Sequence, residues 1–153
     1  MALISAPTTY VALQKHFPEV VQSGSVKLFE FDTRFSALAS KDFVYYDFNS
    51  PLKFVTGDQE VGVSGLREQF DLVMADPPYL DENCLTKTSI SIKYLSKEGA
   101  KIVLCTGAIM VSNYTVGCNQ VGSLTSVGII RKEFGCIVKG WEFVIRTLHV
   151  LKF

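Results

Sequence analysis

The residues with the clearest chemical potential are Asp76-Pro77-Pro78-Tyr79, which directly follow the apolar run from Phe70 to Ala75. Two consecutive prolines can continue neither strand pairing nor a helix interior, so this tetrapeptide reads as a rigid turn at a strand end. Such a turn holds a carboxylate, exposed backbone carbonyls and an aromatic face together. A nitrogen with N–H donors can bond to Asp76 and to the Pro77 carbonyl, while Tyr79 stacks on a flat base or lies against an alkyl-ammonium group. Three earlier strand candidates also end in groups that could bind a ligand. They are followed by Ser5-Ala6-Pro7, by Glu30 with Asp32 close behind, and by Asp47 with Phe48. The plainer alternatives are a tight turn with a solvated aspartate, and acids that merely cap turns.

These groups act together only if the chain gathers the strand ends. Leu3-Ile4 is a short apolar stub, after which Thr8 or Thr9 is expected to cap a helix carrying Val11, Leu13 and Phe17 and closed by Pro18. Val26 to Phe31 is rich in strand formers, and Asp32-Thr33 is a cap pair for a short helix with Phe35, Ala37 and Leu38. Phe43 to Tyr46 is a third strand, closed by the turn residues Asp47 to Pro51. Residues 52 to 68 read as a loop, with a short helix near Leu66 to Gln69. Residues 83 to 97 put Leu85, Ile92 and Leu95 on one helical face, with Gly99 as the stop and Ala100 to Cys105 as the next buried strand. Strand and helix thus alternate, five strands deep. That order predicts an α/β fold, a mostly parallel sheet with helices on both faces, in which ligands bind beyond the carboxyl ends of the strands.

Composition narrows the remaining classes. The chain has 153 residues, 48% apolar, with fifteen basic side chains balancing fifteen acidic ones. That is one domain with enough apolar surface for a core, and it excludes fibrous and mostly disordered chains. No basic surplus draws the chain to phosphates, so affinity for nucleic acid would need a local patch. The first residues lack the basic start and apolar core of a secretory signal, and the run from Ile102 to Val111 is too short to span a bilayer. A soluble, cytoplasmic protein is therefore expected. Cys84, Cys105, Cys118 and Cys136 form no C-x-x-C pair and read as free thiols, with no metal site. Beyond Met110 the alternation stops. Val111 to Ser126 is Gly, Ser, Asn and Thr with scattered valines, and Phe134 to Val150 could fold as a β-hairpin about Lys139-Gly140.

Asp76-Pro77-Pro78-Tyr79 resembles the D/N-P-P-Y/F motif of amino-group methyltransferases that use S-adenosylmethionine. A wider resemblance joins that motif to Ser5-Ala6-Pro7, Phe29-Glu30-Phe31-Asp32 with Arg34-Phe35, Phe43 to Asn49, Asp71 to Leu80, and Cys105 to Met110. By these five blocks, over residues 2 to 110, the chain resembles the family first described as N-6 adenine-specific DNA methyltransferases and later recognised as elongation factor 1-alpha lysine methyltransferases. The resemblance implies a Rossmann-like, S-adenosylmethionine-dependent fold. Ser5, Ala6, Pro7, Glu30, Asp47 and Phe48 would hold the cofactor, with Glu30 or Asp32 on its ribose hydroxyls and Asp47 with Phe48 at its adenine. Asp76, Pro77, Pro78 and Tyr79 would hold the substrate amine. Ser5-Ala6-Pro7 contains no G-x-G, a departure that the family shares. The implied reaction is methyl transfer to a lysine of elongation factor 1-alpha, with adenine methylation in DNA or RNA as the alternative. The family also carries a helical segment before the first strand and further sheet elements after residue 110. On that comparison residues 1 to 110 read as a partial core and 111 to 153 as an atypical tail, and a non-catalytic remnant is a third reading.

Overall fold

The computed structural model describes residues 1–57, 59–61, 65–107 and 127–132. The expected hairpin at Phe134 to Val150 lies outside the described residues, as do Cys118 and Cys136.

Among the described residues the chain folds as strands β1 (Ala2–Ile4), β2 (Lys27–Glu30), β3 (Phe43–Tyr46), β4 (Phe54–Thr56), β5 (Gln59–Val61), β6 (Phe70–Ala75), β7 (Ser96–Gly107) and β8 (Val127–Lys132). The helices are α1 (Pro7–His16), α2 (Pro18–Gln22), α3 (Ser36–Ala39) and α4 (Glu82–Leu95). The strands form one sheet in the order β5-β4-β3-β2-β1-β6-β7-β8. From β3 to β8 every neighbouring pair is parallel, while β4 and β5 run antiparallel at one edge. This is the Rossmann-like α/β arrangement. Connectivity reverses direction at β1, which lies between β2 and β6, and that reversal creates the crevice where open α/β sheets bind ligands.

Each face of the sheet carries its own core. Ile4, Phe29, Val73 and Leu104 point to one side and pack with Leu85, Ile92 and Leu95 of α4. Leu3, Leu28, Met74 and Val103, their neighbours along the strands, point to the other side against Tyr10 and Leu13 of α1 and Ala39 of α3. The period-two alternation thus serves two helical layers, which is why these strands are apolar throughout. Leu95 is fully buried in the α4 layer. Leu95→Ala is expected to destabilise the fold by about 2–5 kcal/mol, read from the midpoint of chemical unfolding.

Several expectations change in detail, each for a local reason. The α1 cap is neither Thr8 nor Thr9. Pro7 occupies the first turn with Ala6 at the cap position and no side-chain cap bond, and the buried Thr9 hydroxyl lies 3.6 Å from the Met74 sulfur. Pro18 follows the end of α1 but also opens α2, where a missing N–H costs nothing. Asp32 caps the turn Thr33–Phe35 as expected, with α3 following.

The segment read as a loop, 52 to 68, contains the hairpin of β4 and β5, whose register pairs Thr56 with Gln59 across two residues. Phe54 anchors it. That ring is fully buried, edge-on to Phe29 at 5.5 Å and stacked near Tyr46 and Tyr94 at 6.0 and 6.1 Å.

Leu66 to Gln69, where a short helix is expected nearby, form a bend and a turn, with the helical conformation at Gly65 just before them. Glu68 takes a left-handed φ of 53°, and the N–H groups of Glu68 and Gln69 donate to the Tyr94 and Leu95 carbonyls at 2.9 and 3.1 Å. Those bonds satisfy the last turn of α4, which therefore ends at Leu95 without a glycine. Gly99 does not stop the helix. Its φ of 76° falls inside β7, where the register slips between the pairs Phe70–Ser96 and Leu72–Lys101.

Candidate active site

The parallel register determines which residues leave the sheet together. Ile4 pairs with Phe29 on one side and with Ala75 on the other, so Ser5, Glu30 and Asp76 are the next residues on three adjacent strands. Glu30 in turn pairs with Tyr45, bringing Tyr46 and Asp47 to the same end. Two backbone bonds hold the junction beyond β1. Ser5 N–H donates to the Phe29 carbonyl at 2.8 Å, and Asp76 N–H donates to the Ile4 carbonyl at 2.9 Å. Ser5 has φ 50°, the left-handed region that glycine occupies without penalty. A strained non-glycine residue at a ligand crevice is the pattern seen where backbone geometry serves binding.

The result is a cleft of about 640 Å³ lined by Ser5, Pro7, Glu30, Asp47, Phe48 and the whole of Asp76 to Tyr79. Thr8, Phe31, Asp32, Phe35, Tyr46 and Asn49 complete its wall. Ten of the eleven residues singled out from the sequence, Asp32 among them, therefore meet in one place. Ala6 does not. It is buried, and its carbonyl accepts the Thr9 and Tyr10 N–H groups that start α1. Thr8, Phe31, Phe35, Tyr46 and Asn49 were not assigned to a site beforehand. Phe31 offered a signal, since an apolar ring directly after a strand-terminal acid has no core to enter, and it is 59% exposed.

Among the described residues four carboxylates line the cleft, and no lysine or arginine does. Glu30 and Asp32 are differently engaged. Glu30 accepts the N–H groups of Phe31 at 2.9 Å and Asp32 at 3.1 Å, both on Oε1, which orients the carboxylate and leaves Oε2 for a ligand. Burial pushes the Glu30 carboxyl above the usual carboxylate range, against the pull of those two bonds and with a smaller push from Asp32. Asp32 caps Arg34 N–H at 3.0 Å and takes the Arg34 guanidinium on both oxygens. That pair holds the Asp32 carboxyl below its ordinary value. Of the two acids, Glu30 is the one with an oxygen to offer. Asp47 Oδ1 accepts Asn49 N–H at 2.8 Å, and Ser50 N–H returns to the Asp47 carbonyl at 2.9 Å, so a tight turn presents Asp47 and Phe48.

The Asp76–Tyr79 turn runs straight into α4, whose first turn is capped by Asp81 accepting Cys84 N–H at 3.0 Å. Pro77 is buried, whereas Tyr79 is 59% exposed and meets Phe48 edge-on at 5.8 Å. Cys84 lies fully buried at the foot of this turn, where burial pushes its thiol up and makes it a poor nucleophile. Among the described residues no cluster of His, Cys, Asp or Glu could hold a metal ion. Nor is any helix among the described residues long and apolar enough to cross a membrane.

Comparison with known proteins fits this geometry. Over residues 1–130 the chain matches the family described as "Probable N6-adenine methyltransferase". It is 44% identical to the human protein named EEF1A lysine methyltransferase 1 over 110 residues, which cover 72% of this chain and 45% of that protein. The zebrafish (Danio rerio) protein of the same name is 45% identical over 111 residues, 72% of this chain and 60% of its own length. Protein-lysine N-methyltransferase EFM5 of Saccharomyces cerevisiae is 37% identical over 122 residues, covering 72% of this chain and 46% of the yeast protein. The chain spans about half the length of the curated relatives it matches. No solved structure matches it. With a Rossmann-like sheet, a D-P-P-Y turn at its switch point and a family match covering most of its length, the chain belongs to the N6-adenine methyltransferase family.

Proposed function

We propose that this chain is an S-adenosylmethionine-dependent N-methyltransferase whose substrate is a lysine side chain of elongation factor 1-alpha. The observation that carries this reading is the convergence of Glu30, Asp47 and Asp76-Pro77-Pro78-Tyr79 on one cleft at the switch point of the sheet. The donor set suits the cofactor. Glu30 Oε2 can accept from ribose hydroxyls, and Asp47 can accept from an adenine amino group beside the Phe48 ring. α1 starts at the cleft without a side-chain cap; Pro7 has no N–H and the Thr9 N–H donates to the Ala6 carbonyl, which leaves the Thr8 N–H as the first-turn donor to a carboxylate. Four carboxylates, with no cationic side chain beside them among the described residues, favour a sulfonium and ammonium-bearing ligand.

When bound, S-adenosylmethionine supplies an electrophilic methyl group on a sulfonium sulfur, transferred by in-line displacement. The chain's work is alignment. A lysine ammonium has no lone pair, so the amine must arrive neutral or lose its proton to water or a carboxylate at the site. Asp76 and the Pro77 carbonyl then accept its remaining N–H groups and aim the lone pair. Tyr79 and Phe48, inclined at 67° with ring centres 5.8 Å apart, offer ring faces to the alkyl chain. Residues 1 to 110 would form the methyltransferase core, with the tail from 111 contributing β8 to the sheet edge. A cytoplasmic location accords with such a substrate.

Adenine methylation is the less favoured reading. Affinity for nucleic acid rests largely on neutralising phosphates, and the zero net charge and acidic cleft offer little for that. The test incubates the full chain with methyl-labelled S-adenosylmethionine and, separately, elongation factor 1-alpha or an adenine-containing duplex. Label on the protein alone is expected. Label on the duplex alone would establish the adenine reading, and absence of both label and cofactor binding would establish a non-catalytic remnant.

A further inference from the structure

We infer that Lys87 is a positioning residue that fixes the two ligand-holding turns of the cleft relative to one another through α4. This inference rests on the reading of the cleft as a cofactor and amine site. Its basis is a set of contacts that reading does not use. α4 follows the Asp76–Tyr79 turn after only Leu80 and Asp81, and is locked at its start by the Asp81 cap on Cys84. From within its first two turns the Lys87 ammonium reaches the other turn, donating to Asn49 Oδ1 at 3.0 Å and lying 5.8 Å from the centre of the Phe48 ring. Asn49 N–H is itself held by Asp47 Oδ1, and Phe48 closes the circuit on Tyr79.

Lys87 thus joins residues 38 positions apart in the sequence, and it does so where geometry matters most. The Asp47–Asn49 turn would hold the adenine end, and the Asp76–Tyr79 turn the amine. When Lys87 no longer anchors the Asp47–Asn49 turn, that turn must be ordered by the cofactor itself, so the cost falls on cofactor affinity, and saturating cofactor restores the alignment for transfer. Lys87 is absent from the cleft wall, so it acts through Asn49 and Phe48 rather than by touching ligand. An ammonium suits the task because it donates to the amide oxygen and is attracted by the ring face at once. A neutral, unbranched side chain one atom shorter, such as methionine, keeps the packing of the stem and loses both.

The test measures S-adenosylmethionine binding by calorimetry and, separately, methyl-transfer kinetics on the full chain. Lys87→Met is expected to raise the cofactor Kd about 5-fold while kcat at saturating cofactor stays within about 2-fold. Lys87→Arg is expected to restore binding, because a guanidinium can donate to Asn49 and stack on Phe48. Asn49→Ala should weaken binding similarly, and the Lys87→Met/Asn49→Ala double variant should be no weaker than the worse single variant. Lys93→Met, an exposed lysine further along α4, serves as the neutral control. Wild-type Kd in Lys87→Met, failure of Arg to restore it, or additivity in the double variant would overturn the inference while leaving the proposed function standing. A wild-type chain that binds no cofactor would overturn both.

Discussion

Asp76→Ala is expected to lower methyl transfer to protein substrate by about 10²- to 10³-fold at saturating cofactor, with cofactor affinity changed by no more than about 3-fold. The asymmetry follows from where Asp76 stands. It leaves β6 beside Ser5, at the point where the proposed amine would meet the cofactor's methyl group, whereas the proposed ribose and adenine contacts would fall to Glu30 and Asp47 at the ends of other strands. The turn keeps its course in the variant. Asp76 N–H still donates to the Ile4 carbonyl, and Pro77-Pro78 still locks the backbone. What disappears is the carboxylate that accepts an N–H and favours the approach of a cationic side chain. Asp76→Asn, which keeps one acceptor oxygen but no charge, should fall between wild type and Ala. Single-turnover transfer of labelled methyl with cofactor in excess measures the effect free of product release. A loss confined to the apparent affinity for cofactor would place Asp76 in cofactor binding instead.

Glu30→Gln is expected to move binding and stability in opposite directions. For binding, the charge-assisted bonds from Oε2 to ribose hydroxyls are lost or weakened, and cofactor affinity should fall about 10- to 100-fold. For stability, the sign comes from the raised pKa. The fold holds the proton more tightly than the unfolded chain does, from the ordinary value of 4.5 upward. Stability therefore declines as pH climbs through that window, and the full cost is present at neutral pH. Gln removes the cost and still presents an oxygen to the Phe31 and Asp32 N–H groups. The ligand-free variant should melt slightly higher at pH 7, by under about 1 kcal/mol because Glu30 is only partly buried, with a flatter profile between pH 4 and 7. Thermal melts with and without S-adenosylmethionine read both effects at once. A ligand-free Tm below wild type at neutral pH would contradict the electrostatic account. An undiminished shift on adding cofactor would remove Glu30 from the ribose role.

The elements that failed to show in the sequence share a cause. β4 and β5 are three-residue strands at the sheet edge, too short for a period, and depend on Phe54 finding Phe29, Tyr46 and Tyr94. The turn at 66 to 69 is shaped by carbonyls of α4, contributed from more than twenty residues downstream. The clamp from Lys87 to Asn49 is likewise a long-range contact between two ordinary-looking polar residues. None of these leaves a mark within a window of ten or fifteen residues.

By itself the sequence determined the alternation of strand and helix, the abrupt end of β6 at two prolines, and the chemical character of each strand terminus. Those properties are local, set by apolar runs, proline geometry and side-chain type. Only the tertiary structure decided that the termini form one cleft, that Glu30 rather than Asp32 has an oxygen to offer, and that Ala6 turns inward while Phe31 and Tyr79 turn out. The physical reason is register. Hydrogen bonds between β1 and its two neighbours align Ser5, Glu30 and Asp76, and that alignment belongs to pairs of strands brought together from distant parts of the chain.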